Sequence, residues 1–547
     1  MDDFRQKRMD TLTKNKLTAA IAKWVATACR PVNVVEDEGL ANIVRTAAND
    51  WNYELPSRAT ITSHILKLHE TEKAKLQQAL EKTKVVALTG DYWTSISNHN
   101  YLGFTAHYFD PQWKLQSHAL TVVKTEERHF ADAVAEHFMQ VAREWDIEQK
   151  VVSLTTDSAR NMIAAARQLP FEHMPCIAHS VHRAVTVSLT NSPFDSALAK
   201  CRKVVGYFKH SPANQAQLEQ QQVAHHQKKE SLVQEVSTRW NSTLEMIKRV
   251  QRNAEPLRDA LALHATNVAM PTATELEKLK KLEAVLEHCR YVSELLGGEK
   301  FVSCSVVLPT LCHLSRVMEV TEDDPAYMIN FKGTFAAEMD GRKEKTNITW
   351  LRVATALDPR FKDLKCLSKP DRAEVWRMIR ALLQEMESER PAQPDIQITP
   401  EPPKKKPTLM LAHESSSDEE EDSIEQCLER YKAEPLIGMD DCPQEWWSTH
   451  EGAHSEMARL ARKYLATPAT SAEELRLETV ERARKAEEEN KKANTNILNQ
   501  QQRGKLPAHR TKGQTKGQAK DQMKGQKKDQ KKQKDPKREK KVNPPLL

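Results

Sequence analysis

No apolar run in this 547-residue chain approaches the roughly 18 residues that would cross a bilayer as a helix. Its first eight residues, MDDFRQKR, are too charged for a secretory leader. These two absences predict a soluble, intracellular protein. A disulfide framework is also missing. The nine cysteines, at positions 29, 176, 201, 289, 304, 312, 366, 427 and 442, follow no regular spacing. A chain of this length needs no cross-links to hold a core, so a reducing compartment is expected. Apolar residues are in short supply at 39%, against 29% charged residues and 26 prolines, which predicts that part of the length is solvated linker or tail. The rest is too long for one core and allows three or four domains of about 150 residues each.

The net charge of +6 conceals a division. Residues 501–547 hold 16 Lys or Arg against 4 Asp or Glu, leaving 66 against 72 for residues 1–500. The basicity therefore belongs to the tail. Residues 1–80 read as helical, with Leu17, Ile21, Trp24, Val25 and Ala28 at helical spacing, a second stretch near Leu40 to Ala48, and Pro31 and Pro56 as punctuation. From Lys84 the pattern becomes β-rich. A strand runs into Asp91, Tyr101 to Phe109 alternates as a second, and Trp113 to Val123 forms a third beyond an Asp-Pro turn. A helix around Phe130 to Trp145 and a fourth strand, Val151 to Thr155, follow, with Asp157 just beyond. That order matches a ribonuclease-H-like sheet. Asp91, within TGDYWTS (89–95), and Asp157, within TTDSARNM (155–162), are paired strand-end carboxylates, the arrangement by which nuclease-type folds hold divalent metal.

Only helical periodicity is visible from about 245 to 395, including Leu276 to Leu296 and Ala373 to Met386. The predicted architecture is α/β plus all-α. It comprises an N-terminal helical region (1–80), the main part of a ribonuclease-H-like mixed sheet domain (81–245), a large all-helical insertion (246–395) and a disordered Pro/Lys/acidic linker (396–425). An ordered region (426–475) follows, then a charged helix with a disordered basic tail (476–547).

Several separated blocks together resemble the hAT family of DNA transposases, and within it the zinc finger BED domain-containing proteins. They are PVNVVEDEG (31–39), the two aspartate motifs, CIAH (176–179), STRWNST (237–243), ALDPRFK (356–362), and the stretch from Trp446-Trp447 to LARKYLATPATS (460–471). The resemblance implies dimerisation through residues 426–475, with Trp446, Trp447, Leu460, Tyr464 and Leu465 as an interface face. An ordinary intramolecular core is the other reading of that face. It also implies that Trp240 stacks on a flipped base beside Arg239; the alternative is a core tryptophan at a strand-to-helix junction. His173, Cys176, His179 and His182, every three residues, raise a zinc site, whereas the family assigns the Cys and its following His to domain packing.

Two departures shape the functional expectation. The first 175 residues contain a single cysteine, Cys29, so the Cys-x2-Cys pair of a BED zinc finger is absent from this sequence. The family's third catalytic carboxylate, a Glu soon after the PATS stretch, aligns here with Leu475, with Glu473 and Glu474 out of register. Strand transfer uses two divalent ions held by three carboxylates. No cofactor is therefore expected, or Mg²⁺ or Mn²⁺ if the site is active. The expectation is a nuclear, domesticated hAT transposase-derived protein, DNA- or chromatin-associated, dimerising with itself or a relative, and catalytically inactive. The alternatives are an active metal-dependent transposase, or an incomplete gene product of the BED group. The tail offers nonspecific phosphate contact. PKKKP (403–407 with its preceding proline at 402) reads as a nuclear import signal, and the acidic run 415–422 as a kinase site.

Overall fold

The computed structural model describes residues 8–94, 98–125, 130–236, 240–263, 266–297, 304–343, 346–388 and 418–471. All of them fall within one unit, Met1–Arg482. The basic tail and the charged helix expected at 476–492 lie outside the described residues.

Five strands form a single sheet: β1 (Val86–Thr94), β2 (Asn100–Phe109), β3 (Leu115–Thr125), β4 (Val151–Thr156) and β5 (Glu172–Pro175). Their order is β3-β2-β1-β4-β5. The hairpins β1–β2 and β2–β3 are antiparallel, whereas β4 lies parallel to β1 and β5 parallel to β4. Parallel neighbours need a crossover, which the helix Ala131–Glu144 supplies between β3 and β4. The mixed ribonuclease-H-like sheet expected from the strand order is therefore present. The fifth strand was not foreseen, because four residues ending in Pro175 are too short to show a period.

The two faces of the sheet sort by residue parity. Val86 and Leu88 of β1, with Leu102, Phe104, Ala106 and Tyr108 of β2, pack on Val134, Phe138 and Val141 of the crossover helix. Phe104 and Phe138 meet edge to face at 4.9 Å. Gly90 lies under the Phe138 ring, where a Cβ would collide with it. The opposite face, beginning at Ala87 and Phe109, joins the larger core of helices that follows Cys176. Helices begin at Ile177, and the helix Trp240–Arg252 spans the boundary drawn at 245 from sequence.

The N-terminal region holds the helices Thr11–Thr27, Glu38–Ala48 and Arg58–Lys82, capped by the side chains of Asp10, Asp37 and Ser57. Ile21, Ala22, Val25, Val35 and Ile61 give it a small core of its own. The long third helix carries on to the sheet, where Leu80 is fully buried among the strand residues.

The Asp-Pro turn forms as anticipated, with Asp110 Oδ1 accepting from the backbone N–H of Gln112 and Lys114 at 2.9 Å each. Trp113, expected to open β3, belongs instead to the turn, with φ 62°. Its ring stacks on Trp447 at 5.6 Å and lies under the Arg462 guanidinium at 4.1 Å. The expected linker is also corrected at its end. A helix, Asp418–Ala433, begins inside the 396–425 span, because Ile424, Leu428 and Tyr431 form a buried stripe at helical spacing.

The ALDPRFK block is the socket into which this C-terminal part locks. Asp358 is buried against Arg360, with Nη2–Oδ2 2.8 Å and Nε–Oδ1 3.0 Å, and accepts from the Ser305 hydroxyl at 2.8 Å. Trp447 Nε1 donates to the Leu357 carbonyl at 3.0 Å, and the Tyr431 hydroxyl to that of Ala356 at 3.1 Å. Lys362 is 2% exposed and points its ammonium at the end of helix Asp418–Ala433. There it donates to the carbonyls of Tyr431 (2.8 Å), Lys432 (3.0 Å) and Glu434. A cation at a helix C-terminus satisfies carbonyls that have no partner within the helix. Burial lowers the Lys362 pKa, so the contact tolerates little loss of partners. Lys362→Met, which keeps the stem and deletes the donors, is expected to destabilise the fold by about 2–3 kcal/mol; a depressed melting midpoint checks this.

Candidate active site

The parallel register of β1 and β4 builds the carboxylate pair. Thr89 lies beside Thr155 and Gly90 beside Thr156, so Asp91 and Asp157 are the next residues outward on adjacent strands, whose axes are about 4.8 Å apart. Both are partly buried. Asp91 Oδ1 accepts from the Tyr92 N–H at 3.0 Å, and Asp157 Oδ1 from the Ala159 N–H at 3.1 Å. The second contact is a local side-chain turn that carries the chain from β4 into the helix Arg160–Ala166.

A Cys–His pair stands next to them. Cys176 is fully buried at the start of the helix Ile177–Leu189, where its N–H donates to the Thr156 carbonyl at 2.7 Å. Burial alone would raise its thiol pKa, but the neighbouring His179 and the Thr470 hydroxyl hold it below the usual thiol range. His179 is pushed up to about 9, first by the charge and hydrogen bond of Cys176, against burial, and further by the charges of Asp157 and Asp91. The two shifts support each other, and the nearby aspartates add to the one on His179. Its Nδ1 is buried and makes no hydrogen bond among the described residues.

The C-terminal stretch threads into this corner. Ala466, Thr467, Ala469, Thr470 and Ser471 are buried. Ser153 and Thr467 share a hydroxyl contact at 2.8 Å, the Thr155 hydroxyl donates to the Pro468 carbonyl at 3.0 Å, and the Ile177 N–H to that of Ala469 at 3.1 Å. Thr470 Oγ1 and the Ser471 N–H then reach Cys176 Sγ at 3.1 and 3.4 Å. The segment thus runs in the direction of β4, toward the end where Asp157 lies. The third-carboxylate candidates follow at once, yet Glu473, Glu474 and Leu475 lie outside the described residues.

Other sequence candidates are placed as follows. Trp240, expected to stack on a base, is 6% exposed and packs in the large core, so its ring serves the strand-to-helix junction; Arg239 lies outside the described residues. Trp446, Trp447, Leu460, Tyr464 and Leu465, expected as a dimer face, are all buried within the chain's own core. Trp447 alone contacts Trp113, Tyr431 and Trp446. The four residues of the zinc reading do not share a helical face, because His173 is on β5 and bonds Thr156 Oγ1 at 2.9 Å. Burial and the nearby Arg167 push the His173 pKa down to about 4. Among the described residues no three His, Cys, Asp or Glu side chains converge on a metal position. Among the described residues Asp91 and Asp157 offer ligands for one divalent ion, and a set that holds two needs a third carboxylate.

The role of His179 as the charged neighbour of the pair was not read from sequence, although the Cys-x2-His spacing at the head of a helix was its signal. Because Cys176 is the largest influence on it, Cys176→Ala is expected to lower the His179 titration midpoint toward the ordinary imidazole range, and Asp91→Asn to lower it less. Side-chain NMR of labelled histidine through a pH series measures both.

Residues 89–176 match the ZBED1 RNase-like domain and residues 174–285 the ZBED1 RNase-like helical domain. Residues 427–496 match the hAT family C-terminal dimerisation region. A putative AC transposase of Zea mays is 24% identical over 487 residues, covering 80% of this chain and 58% of that protein. The putative transcriptional regulator tpeD of Talaromyces stipitatus is 23% identical over 239 residues, 36% of this chain and 28% of that one. The zinc finger BED domain-containing protein DAYSLEEPER of Arabidopsis thaliana is 25% identical over 143 residues, 26% and 20% respectively. The chain spans less than two thirds of the length of the maize protein. With an RNase-like sheet carrying the two strand-end aspartates and the region matching the hAT dimerisation model folded against it, the chain is similar to hAT transposases.

Proposed function

We propose that this chain is a nuclear, domesticated hAT-type protein that associates with DNA or chromatin, dimerises, and does not cut DNA. The observation that carries the reading is the composition of the site. Two carboxylates are held side by side by the β1–β4 register, the aligned third position in sequence is Leu475, and the charges of the pair favour the protonated form of the neighbouring His179. A carboxylate pair balanced by a protein cation has less need of a divalent ion. DNA association rests on the relatives and on the basic tail, in which 16 cationic residues with no aromatic among them suit phosphate neutralisation without base readout. Dimerisation rests on the matched region. Its five sequence-predicted side chains are internal, so a contact between copies falls on what remains outside, including Leu436 (38% exposed) and Met439 (60% exposed).

One observation favours the alternative of a working transposase. The Ser471 N–H is bonded to Cys176, beside the carboxylate corner, and Glu473 and Glu474 are the second and third residues after it in sequence. Strand cleavage with Mg²⁺ or Mn²⁺ on a nicked or hairpin substrate decides between the readings. No metal-dependent product is expected, and nicking that Asp91→Ala abolishes would establish the transposase instead. The tail is tested separately. Removing residues 501–547 is expected to weaken duplex binding and to flatten its dependence on salt, since the log–log slope falls by about 0.9 for every phosphate the protein no longer neutralises; an unchanged slope in a salt titration would clear the tail of DNA contact.

A further inference from the structure

Nine thiols are spread through the chain, and their surroundings differ. Cys201, Cys289 and Cys304 are sealed in the large core, where burial pushes each thiol up to about 12 and keeps it unreactive. Cys312 and Cys366 are only half-buried, and they meet from positions 54 residues apart. Cys312 lies on the helix Val307–Val317, and its Sγ donates to the Cys366 carbonyl at 3.5 Å. The two thiols are also within hydrogen-bonding reach of each other, and that contact, with burial next, raises the Cys366 pKa.

Cations stand beside the pair. Arg316 is one helical turn beyond Cys312, so it shares that side of the helix, and its charge reaches Cys366 as well. Lys365, the residue before Cys366, is exposed. A half-exposed thiol next to a second thiol and a guanidinium is the setting in which a thiolate forms and reacts. Cys366 is also held in place. Successive turns, from the Phe361 N–H to the Asp358 carbonyl at 2.9 Å, Leu364 to Phe361 at 2.8 Å and Leu367 to Leu364 at 2.9 Å, carry the chain from the ALDPRFK block past Cys366. The pair therefore joins the helix Val307–Val317 to the segment whose Lys362 caps the helix Asp418–Ala433.

We infer that Cys312 and Cys366 are a redox-active dithiol that closes to an intramolecular disulfide on meeting a peroxide and reopens with a thiol reductant. The inference is independent of DNA association. The Cys312 thiolate, accepting a hydrogen bond from the Cys366 S–H, attacks one peroxide oxygen. The O–O bond breaks, the departing hydroxide takes up a proton as water, and Cys312 is left as a sulfenic acid. The Cys366 sulfur then attacks the Cys312 sulfur, and its proton and the hydroxyl leave as a second water. Two thiols and one hydrogen peroxide thus give one disulfide and two waters, and a thiol reductant restores both thiols by exchange. A reversible bond of this kind is the form that disulfides take in a reducing compartment.

The test treats the full native chain with hydrogen peroxide, blocks the remaining thiols with iodoacetamide under denaturing conditions, and maps unreduced peptides by mass spectrometry. A cross-linked pair carrying Cys312 and Cys366 is expected, lighter than its two peptides by two hydrogens and lost on treatment with dithiothreitol. The oxidised chain should melt a few degrees higher, because the closed loop restricts the unfolded chain. Cys366→Ser should stop the reaction at a Cys312 sulfenic acid that dimedone labels, Cys312→Ser should leave Cys366 unlabelled, and Arg316→Gln should slow closure several-fold. Phenylarsine oxide, which chelates two neighbouring thiols, should shield both cysteines from iodoacetamide in the untreated native wild type, an arm that needs no variant to fold. The dithiol is wrong if oxidation leaves Cys312 and Cys366 on separate alkylated peptides, joins either to another cysteine, or drives Cys312 to the sulfinic acid with no bond to Cys366. It is wrong too if phenylarsine oxide shields neither.

Discussion

The contact on which the arrangement depends is the seam between β4 and the segment that follows Leu465. Ser153 meets Thr467 and Thr155 meets Pro468 across more than 300 positions of sequence, in a region where both sides are buried. Buried hydroxyls must find partners or leave a desolvated group behind, at a cost of about 1–3 kcal/mol each. Among the described residues those partners are Thr467 and Pro468. The sheet and the C-terminal helices therefore complete each other, and the dimerisation region is part of the same core as the strands. This accounts for the fate of Trp446, Trp447, Leu460, Tyr464 and Leu465, whose apolar surface closes the chain on itself before it is available to a second copy.

How much of this was legible depended on the length scale of each signal. β1 to β4, the crossover helix and the Asp-Pro turn could be read because alternation and turn chemistry are local. The pairing of Asp91 with Asp157 was legible as well, since two strands ending in the same kind of polar motif suggest neighbours. β5 was invisible at four residues. The exposure of Trp93 and the burial of Trp240 were also beyond sequence. Each is a tryptophan within a short, largely polar motif, and only the packing of the whole chain decides which of the two meets solvent. Lys362 shows the same limit from the other side: a lysine is read as surface until three carbonyls from residues about 70 positions away converge on it.

The electrostatics of the carboxylate corner follow from the same seam. Thr470 and Ser471 hydrogen-bond the Cys176 sulfur, which favours the thiolate; the thiolate favours the charged form of His179; and His179 lies within the field of both aspartates. The state of the site is therefore tied to the placement of the C-terminal segment. A change at Thr470 is therefore expected to be felt at His179 through Cys176.

The face that carries Asp91 is graded along β1. Along one side of β1 a residue step of two leads from a buried hydroxyl (Thr89) to a carboxylate (Asp91) to an exposed indole (Trp93), with β2 residues that fit each: His107, opposite Ala87, within bonding reach of the hydroxyl, Gly103 opposite the carboxylate and under the indole, and Tyr101 opposite the indole and stacked on it. The carboxylate step alone needs a third acid from elsewhere in the chain to hold two metal ions. The aromatic step needs nothing beyond β1 and β2. The surface pair thus follows from one hairpin, whereas a two-metal site at Asp91 would depend on residues from distant parts of the chain.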